Sequence, residues 1–339
     1  MTARNWWELV KATFVEWDED KASRLAAALA YYTAFSLAPL LVISIGIAGL
    51  VLGEQAAQGE IVIQLQGLIG VEGARLVEQM IAASRKPAQS ITATAIGVAV
   101  LLFGATGVFG QLQDALNTIW EVKPKPGRGW RGILRDRFLS FTMVLGTGFL
   151  LLVSLVLSAA LAWLGGHLDA YLALPEAVMH IVNLLLSLAL ITFLFALIFK
   201  LVPDAKIAWH DVWIGAAITA LLFSLGKFLI GLYLGKSTVA STFGAAASLA
   251  ILLVWIYYSA QILFLGAEFT QVYATRFGSR IRPARGAVRL VAEDRAQQGI
   301  ARPDVVASAA EADEADLVGD EPDKADDAEG SRAPQAGTR

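Results

Sequence analysis

The chain has no cysteine, and its three histidines, His167, His180 and His210, are scattered. The first absence excludes disulfides, thiolate metal sites and cysteine nucleophiles. The spread of the histidines excludes metal-ligand spacing. Charge is also scarce: Asp, Glu, Lys and Arg make up 17% of 339 residues, against 56% hydrophobic. A water-soluble domain needs more polar surface than that. No Gly-rich phosphate loop with Lys-Ser/Thr occurs, and no G-x-S-x-G elbow. Carboxylates in the apolar runs are too sparse for a two-metal nuclease centre. No catalytic residue, metal or cofactor is therefore expected, and the protein is not read as an enzyme.

What is present is apolar length. Several windows hold no charge over a bilayer-spanning stretch, roughly 20 residues. The expected fold is all-α: a polytopic membrane bundle of six helices at about 25–52, 91–113, 138–164, 178–202, 209–234 and 244–272. In hydrocarbon every backbone polar group must be bonded within its own segment, which leaves helices as the form. Residues 1–24 precede the bundle as an amphipathic segment, and no cleavable signal is expected, because "KATFVEWDEDKASR" before the first apolar run is mixed in charge.

Lysine and arginine set the orientation. The N-terminal segment and the stretches after helices 2, 4 and 6 hold 17 of them, and the alternate loops hold 4. Both termini are therefore expected in the cytoplasm. The net charge of −3 hides a split. Residues 1–289 carry 22 basic and 17 acidic side chains, whereas residues 290–339 carry 5 and 13. Residues 281–339 are expected to form a tail, basic then acidic, without regular structure. Residues 55–86 are too polar to span. Ile61, Leu65, Leu68 and Ile69, then Leu76, Val77, Met80 and Ile81, repeat at helical spacing, predicting one or two amphipathic helices on the outer face.

Polar groups end several spans. Gly97, Gly104, Gly107 and Gly110 share a side of helix 2 with Asp114 and Asn117, so a glycine stripe becomes polar near the inner surface. Small residues admit a close neighbouring backbone. One reading makes Asp114, with Gln113 and Asn117, the lining of an inner vestibule; the other makes them interfacial side chains at a helix end. Gln261 and Glu268 lie seven apart on helix 6, and Lys200 closes helix 4. A cluster of Arg24, Asp114, Lys200 and Glu268 would offset the cost of burying charge; the alternative is four separate snorkelling side chains. Lys227, in "LLFSLGKFLIGLYLG", falls in the outer half of helix 5, placed either to snorkel or to hold an anionic headgroup. Pro39 removes a backbone bond from helix 1 and marks a kink, structural or hinge-like.

The stretches "AALAYYTAFSLAPLLVI" (27–43), "LQDALNTIWEVK" (112–123), "LVPDAKIAWHDVWIGAAITALLFSLGKFLIGLYL" (201–234) and "LLVWIYYSAQILFLGAEFTQVYA" (252–274) resemble the YihY/BrkB family of bacterial inner-membrane proteins. The resemblance covers about residues 5–280. Its more specific marks are Gly226-Lys227 and Gly266-Ala267-Glu268, while "STFGAAAS" departs from the Tyr-Gly element often found before the last helix. It implies a polytopic protein of the inner membrane linked to envelope integrity, and envelope-lipid transport has been suggested for relatives. An older ribonuclease label for the family finds no support in these residues. Two functions stay open: a transporter or flippase for an anionic lipid or other amphiphile, or a scaffold binding a partner through 55–86 or the tail. Membrane lipids are the expected partners and nucleic acid is not; homo-oligomerisation is left open. Asp114, Asn117, Lys200, Lys227, Gln261 and Glu268 are the substrate-path candidates, with Pro39 the hinge candidate.

Overall fold

The computed structural model describes residues 3–84, 106–126, 176–236 and 245–301. Chain contacts divide the molecule into two units, Met1–Leu290 and Val291–Arg339. The first is helical: α1 (Ala3–Glu19), α2 (Ala22–Leu52), α3 (Glu54–Ser84), α4 (residues 106–119), α5 (Glu176–Leu201), α6 (Trp209–Lys236) and α7 (Ala245–Arg276). Stretches at Ala22–Gly46, Trp209–Leu229 and Leu249–Arg276 are long and apolar enough to cross a bilayer, and Ser187–Leu201 is a shorter apolar helix. The expected span at 138–164 and most of that at 91–113 lie outside the described residues, but the helix reaching residue 113 continues to 119. Their outward faces carry large apolar side chains, among them Phe35, Leu184, Leu225, Phe228 and Val254.

Two features connect the first three helices. Lys21, at φ 52°, turns α1 into α2, and Gly53, at φ 83°, turns α2 into α3. Gly53 is needed there because a left-handed backbone costs any residue with a Cβ. Within the polar segment expected at 55–86, the residues up to Ser84 form one helix through Gly59 and Gly73. It buries Ala57, Ile61, Val77 and Ile81 against Leu41 and Ile45 of α2 and Leu252 and Trp255 of α7. Helix α1 buries Leu9 against Phe269, Val272 and Tyr273, and Trp6 stacks on Phe269 at 6.2 Å between ring centroids. Its Trp7, Val10 and Phe14, at steps of three and four, remain exposed.

Helices α6 and α7 pack through glycine in both directions. A Cβ built on Gly215 would lie 1.6 Å from Oγ1 of Thr270, and one on Gly266 would lie 1.8 Å from Oγ1 of Thr219. Each threonine hydroxyl bonds its own helix, Thr219 to the Gly215 carbonyl at 2.7 Å and Thr270 to the Gly266 carbonyl at 2.6 Å. The hydroxyls are thereby satisfied internally, and the close approach of the backbones provides the packing that holds helices together where no water is expelled. Further along, Gly226 gives way to the ring of Tyr258, whose hydroxyl would lie 1.8 Å from an added Cβ.

Four short strands tie the helix ends together. Strand β1 (Val122–Pro124) follows α4, β2 (Ala205–Lys206) joins α5 to α6, and β3 (Arg282–Pro283) and β4 (Ala287–Arg289) follow α7. Strand β1 pairs antiparallel with β4, Lys123 opposite Val288, and β2 pairs antiparallel with β3, Lys206 opposite Arg282. The ends of α4, α5 and α7 and the start of α6 therefore meet at one pole. The start of α2 joins them: Ala22, Ala26 and Leu29 pack with Leu116, Ile119, Trp120, Phe199 and Val212. In the second unit α8 (Ala292–Gln297) starts where the Asp294 carboxylate accepts the Val291 N–H at 3.2 Å. Strands β3 and β4 and helix α8 correct the expectation that regular structure is lost from residue 281. The backbone groups of β3 and β4 are bonded to partners distant in the chain, which local composition does not reveal.

Candidate functional site

The polar pole is built on one loop. Between α5 and α6 the chain reads "VPDAKIAW", and Asp204 is its centre. Nδ2 of Asn117 donates to the Asp204 carboxylate at 3.3 Å, and Nε2 of Gln113 donates to the same oxygen at 3.4 Å. Asn117 Oδ1 accepts the Asp204 N–H at 2.7 Å. Gln113 and Asn117 are four apart, so both carboxamides leave α4 on one side. They clamp the loop, and Asn117 is 4% exposed. Asp204 carried no expected role; its signal was only a polar residue in a short loop, and its partners are 87 and 91 residues away.

Lys200 serves the same loop. Its Nζ donates to the Ile207 carbonyl and lies 5.5 Å from the centre of the Trp209 ring. The ammonium is thus engaged by backbone and an aromatic face. Asp211, in the first turn of α6, accepts from the Ser279 N–H at 3.0 Å and from the Ser279 hydroxyl at 2.7 Å. A carboxylate at a helix N-terminus also meets the positive end of the helix dipole. Gly278 makes room for it, since a Cβ there would stand 2.6 Å from the carboxylate.

The remaining candidates are spread out. Asp114 is exposed on α4 and Lys227 is exposed on α6, while Glu268 on α7 has no exposed surface. The Gln261 carboxamide donates to the hydroxyl of Tyr257, one turn away, at 2.6 Å. Pro39 sits within α2, which remains helical on both sides of it. A cavity of about 290 Å³ opens elsewhere, between the ends of α4 and α7 and strands β1, β3 and β4. Its walls include Trp120, Glu121, Gln271, Thr275, Arg280 and Arg289, and none of the seven expected residues. Among the described residues no group of three or more His, Asp or Glu side chains is arranged to hold a metal ion.

Long apolar helices joined at one polar pole define an integral membrane protein. The family model for virulence factor BrkB matches residues 13–290, and the chain belongs to that family. It is similar to a UPF0761 membrane protein of Tolumonas auensis, 33% identical over 52% of this chain and 56% of the relative. The UPF0761 membrane protein YihY of Salmonella typhimurium is 33% identical over 58% of this chain and 62% of its own length. A UPF0761 membrane protein of Cronobacter sakazakii is 29% identical over 77% of this chain and 86% of the relative. The matched stretch thus spans little more than half the length of the first two relatives. No solved structure matches the chain.

Proposed function

We propose that this chain is a multi-pass protein of the cell inner membrane, both termini cytoplasmic, that moves an anionic lipid or other amphiphilic envelope component between leaflets. The observation that carries the reading is Glu268, a carboxylate with no exposed surface inside an apolar stretch long enough to span. Ionisable groups at such positions are expensive and are retained where they handle polar cargo or protons. Glu268 lies two residues past Gly266, in the close crossing of α6 and α7. The exposed Lys227 on α6 would meet a headgroup phosphate from the lipid side. The strand-tied pole is assigned to the cytoplasm because it gathers Lys123, Lys206, Arg282 and Arg289, the basic residues expected there.

A second reading, a scaffold acting through a partner, draws on the Asn117–Asp204 clamp, in which polar groups at a helix end hold a loop. One experiment separates them. Purified protein is reconstituted into liposomes carrying fluorescent anionic or zwitterionic lipid, and leaflet exchange is followed by dithionite quenching. Exchange above protein-free liposomes is expected, falling at least tenfold in Glu268→Gln and severalfold in Lys227→Ala. Exchange equal to protein-free liposomes for every lipid would leave the scaffold.

A further inference from the structure

The cavity between α4 and α7 has a chemistry of its own. Arg280 and Arg289 enter it from different segments, one just past α7 and one on β4, and both are exposed. Among the described residues neither guanidinium has an ion-pair partner. Gln271 lines the same cavity, is 7% exposed, and its carboxamide has no hydrogen-bond partner there. Trp120, 1% exposed, also forms a wall. The Thr275 hydroxyl adds another donor. Among the described residues one carboxylate, Glu121, stands with them, so this lining carries a net charge of +1.

We propose that this cavity binds a phosphodiester monoanion. Two guanidiniums match the paired oxygens of a phosphate. The single positive excess matches the one charge of a diester better than the two of a monoester. The Gln271 carboxamide N–H and the Thr275 hydroxyl would complete the oxygens' hydrogen bonding. A volume of about 290 Å³ holds a phosphate and a small alcohol, not acyl chains. Both Glu121 and Arg280 adopt left-handed backbone conformations, at φ 52° and 60°, in the wall of this cavity. The ligand comes either from a phospholipid headgroup or from a soluble glycerophosphodiester. Binding here does not depend on transport: a protein that binds without exchanging lipid would retain this site and lose the transport reading.

The test uses the full chain in detergent, with dihexanoyl phosphatidylglycerol and soluble glycerophosphoglycerol as probes in separate arms. Binding of at least one is expected, weakened tenfold or more in Arg280→Gln/Arg289→Gln and unchanged in Arg285→Gln, an exposed arginine between β3 and β4 outside the cavity. Binding of the lipid alone identifies a headgroup site; binding of both with equal affinity identifies the soluble diester. A second measurement needs no variant. The bound probe should protect Arg280 and Arg289, but not Arg285, from phenylglyoxal in the wild-type protein. Failure of both probes to bind, or binding that neither protects these arginines nor weakens in the double variant, overturns the proposal.

Discussion

Asn117 and Asp204 stand 87 residues apart and bond in both directions, side chain to carboxylate and backbone N–H to side chain. The two bonds fix the loop between α5 and α6 on the end of α4. Asn117→Ala would leave a partly buried carboxylate and an N–H without these partners, a loss of about 1–3 kcal/mol. Asn117→Asp should be worse, since it sets one carboxylate against another. Thermal unfolding in detergent checks the order: wild type highest, Asn117→Ala lower, Asn117→Asp lowest. Equal midpoints for all three would remove the clamp from the account. Only part of this was legible in the sequence. A polar residue after a glycine stripe marks α4 as facing something, but residue type does not say whether that is water, substrate or another loop. Asn117 and Lys200 were therefore recognisable as unusual and not as structural.

Between α6 and α7 the relation is one of spacing. Gly215 and Thr219 on one helix, and Gly266 and Thr270 on the other, lie four apart, so each pair stacks on one face. Because the helices run antiparallel, glycine meets threonine at both levels. A methyl added at Gly215 or Gly266 must push Thr270 or Thr219 aside, and overpacking of this kind costs about 1–3 kcal/mol or more. Gly46 on α2 provides the contrast, with nothing within 4 Å of an added Cβ. Gly215→Ala and Gly266→Ala should therefore lower the unfolding midpoint clearly, while Gly46→Ala should leave it unchanged or raise it slightly. Thr270→Ala should recover part of the loss in Gly215→Ala, because two of the three clashing atoms disappear. A Gly266→Ala protein as stable as wild type would mean that the helices do not cross there. Hydropathy and length located these helices well, since both properties are local. The crossing was not legible, because glycine in a membrane helix has many neighbours to choose from and only the partner helix decides.

At the scale of the whole molecule the question is which ends share a side. The basic stretches after α4, between α5 and α6, and after α7 are far apart in sequence, yet the strand pairs hydrogen-bond them to one another. Segments joined by a ladder cannot lie on opposite sides of a bilayer. The end of α4 and the loop before α6 therefore share a side, and the span expected at 138–164 between them lies outside the described residues. The charge count favoured the same grouping, but strands of two or three residues leave no periodicity to read, so the contact itself was hidden. The absence of cysteine makes it testable. Lys206 and Arg282 are opposed in the β2–β3 ladder and both exposed. Opposed residues of antiparallel strands stand about 4.5–5.5 Å apart, within the reach of a disulfide. Lys206→Cys/Arg282→Cys should cross-link on mild oxidation, seen as protection of both thiols from a maleimide probe, whereas Lys206→Cys with Arg75→Cys, on α3, should not. If the pole is cytoplasmic, a membrane-impermeant maleimide should label the reduced pair in inverted vesicles and not in intact spheroplasts. A cross-link with labelling from outside would keep the pole and reverse its assignment to the cytoplasm; no cross-link would dissolve the pole itself, and with it the cavity that the same strands enclose.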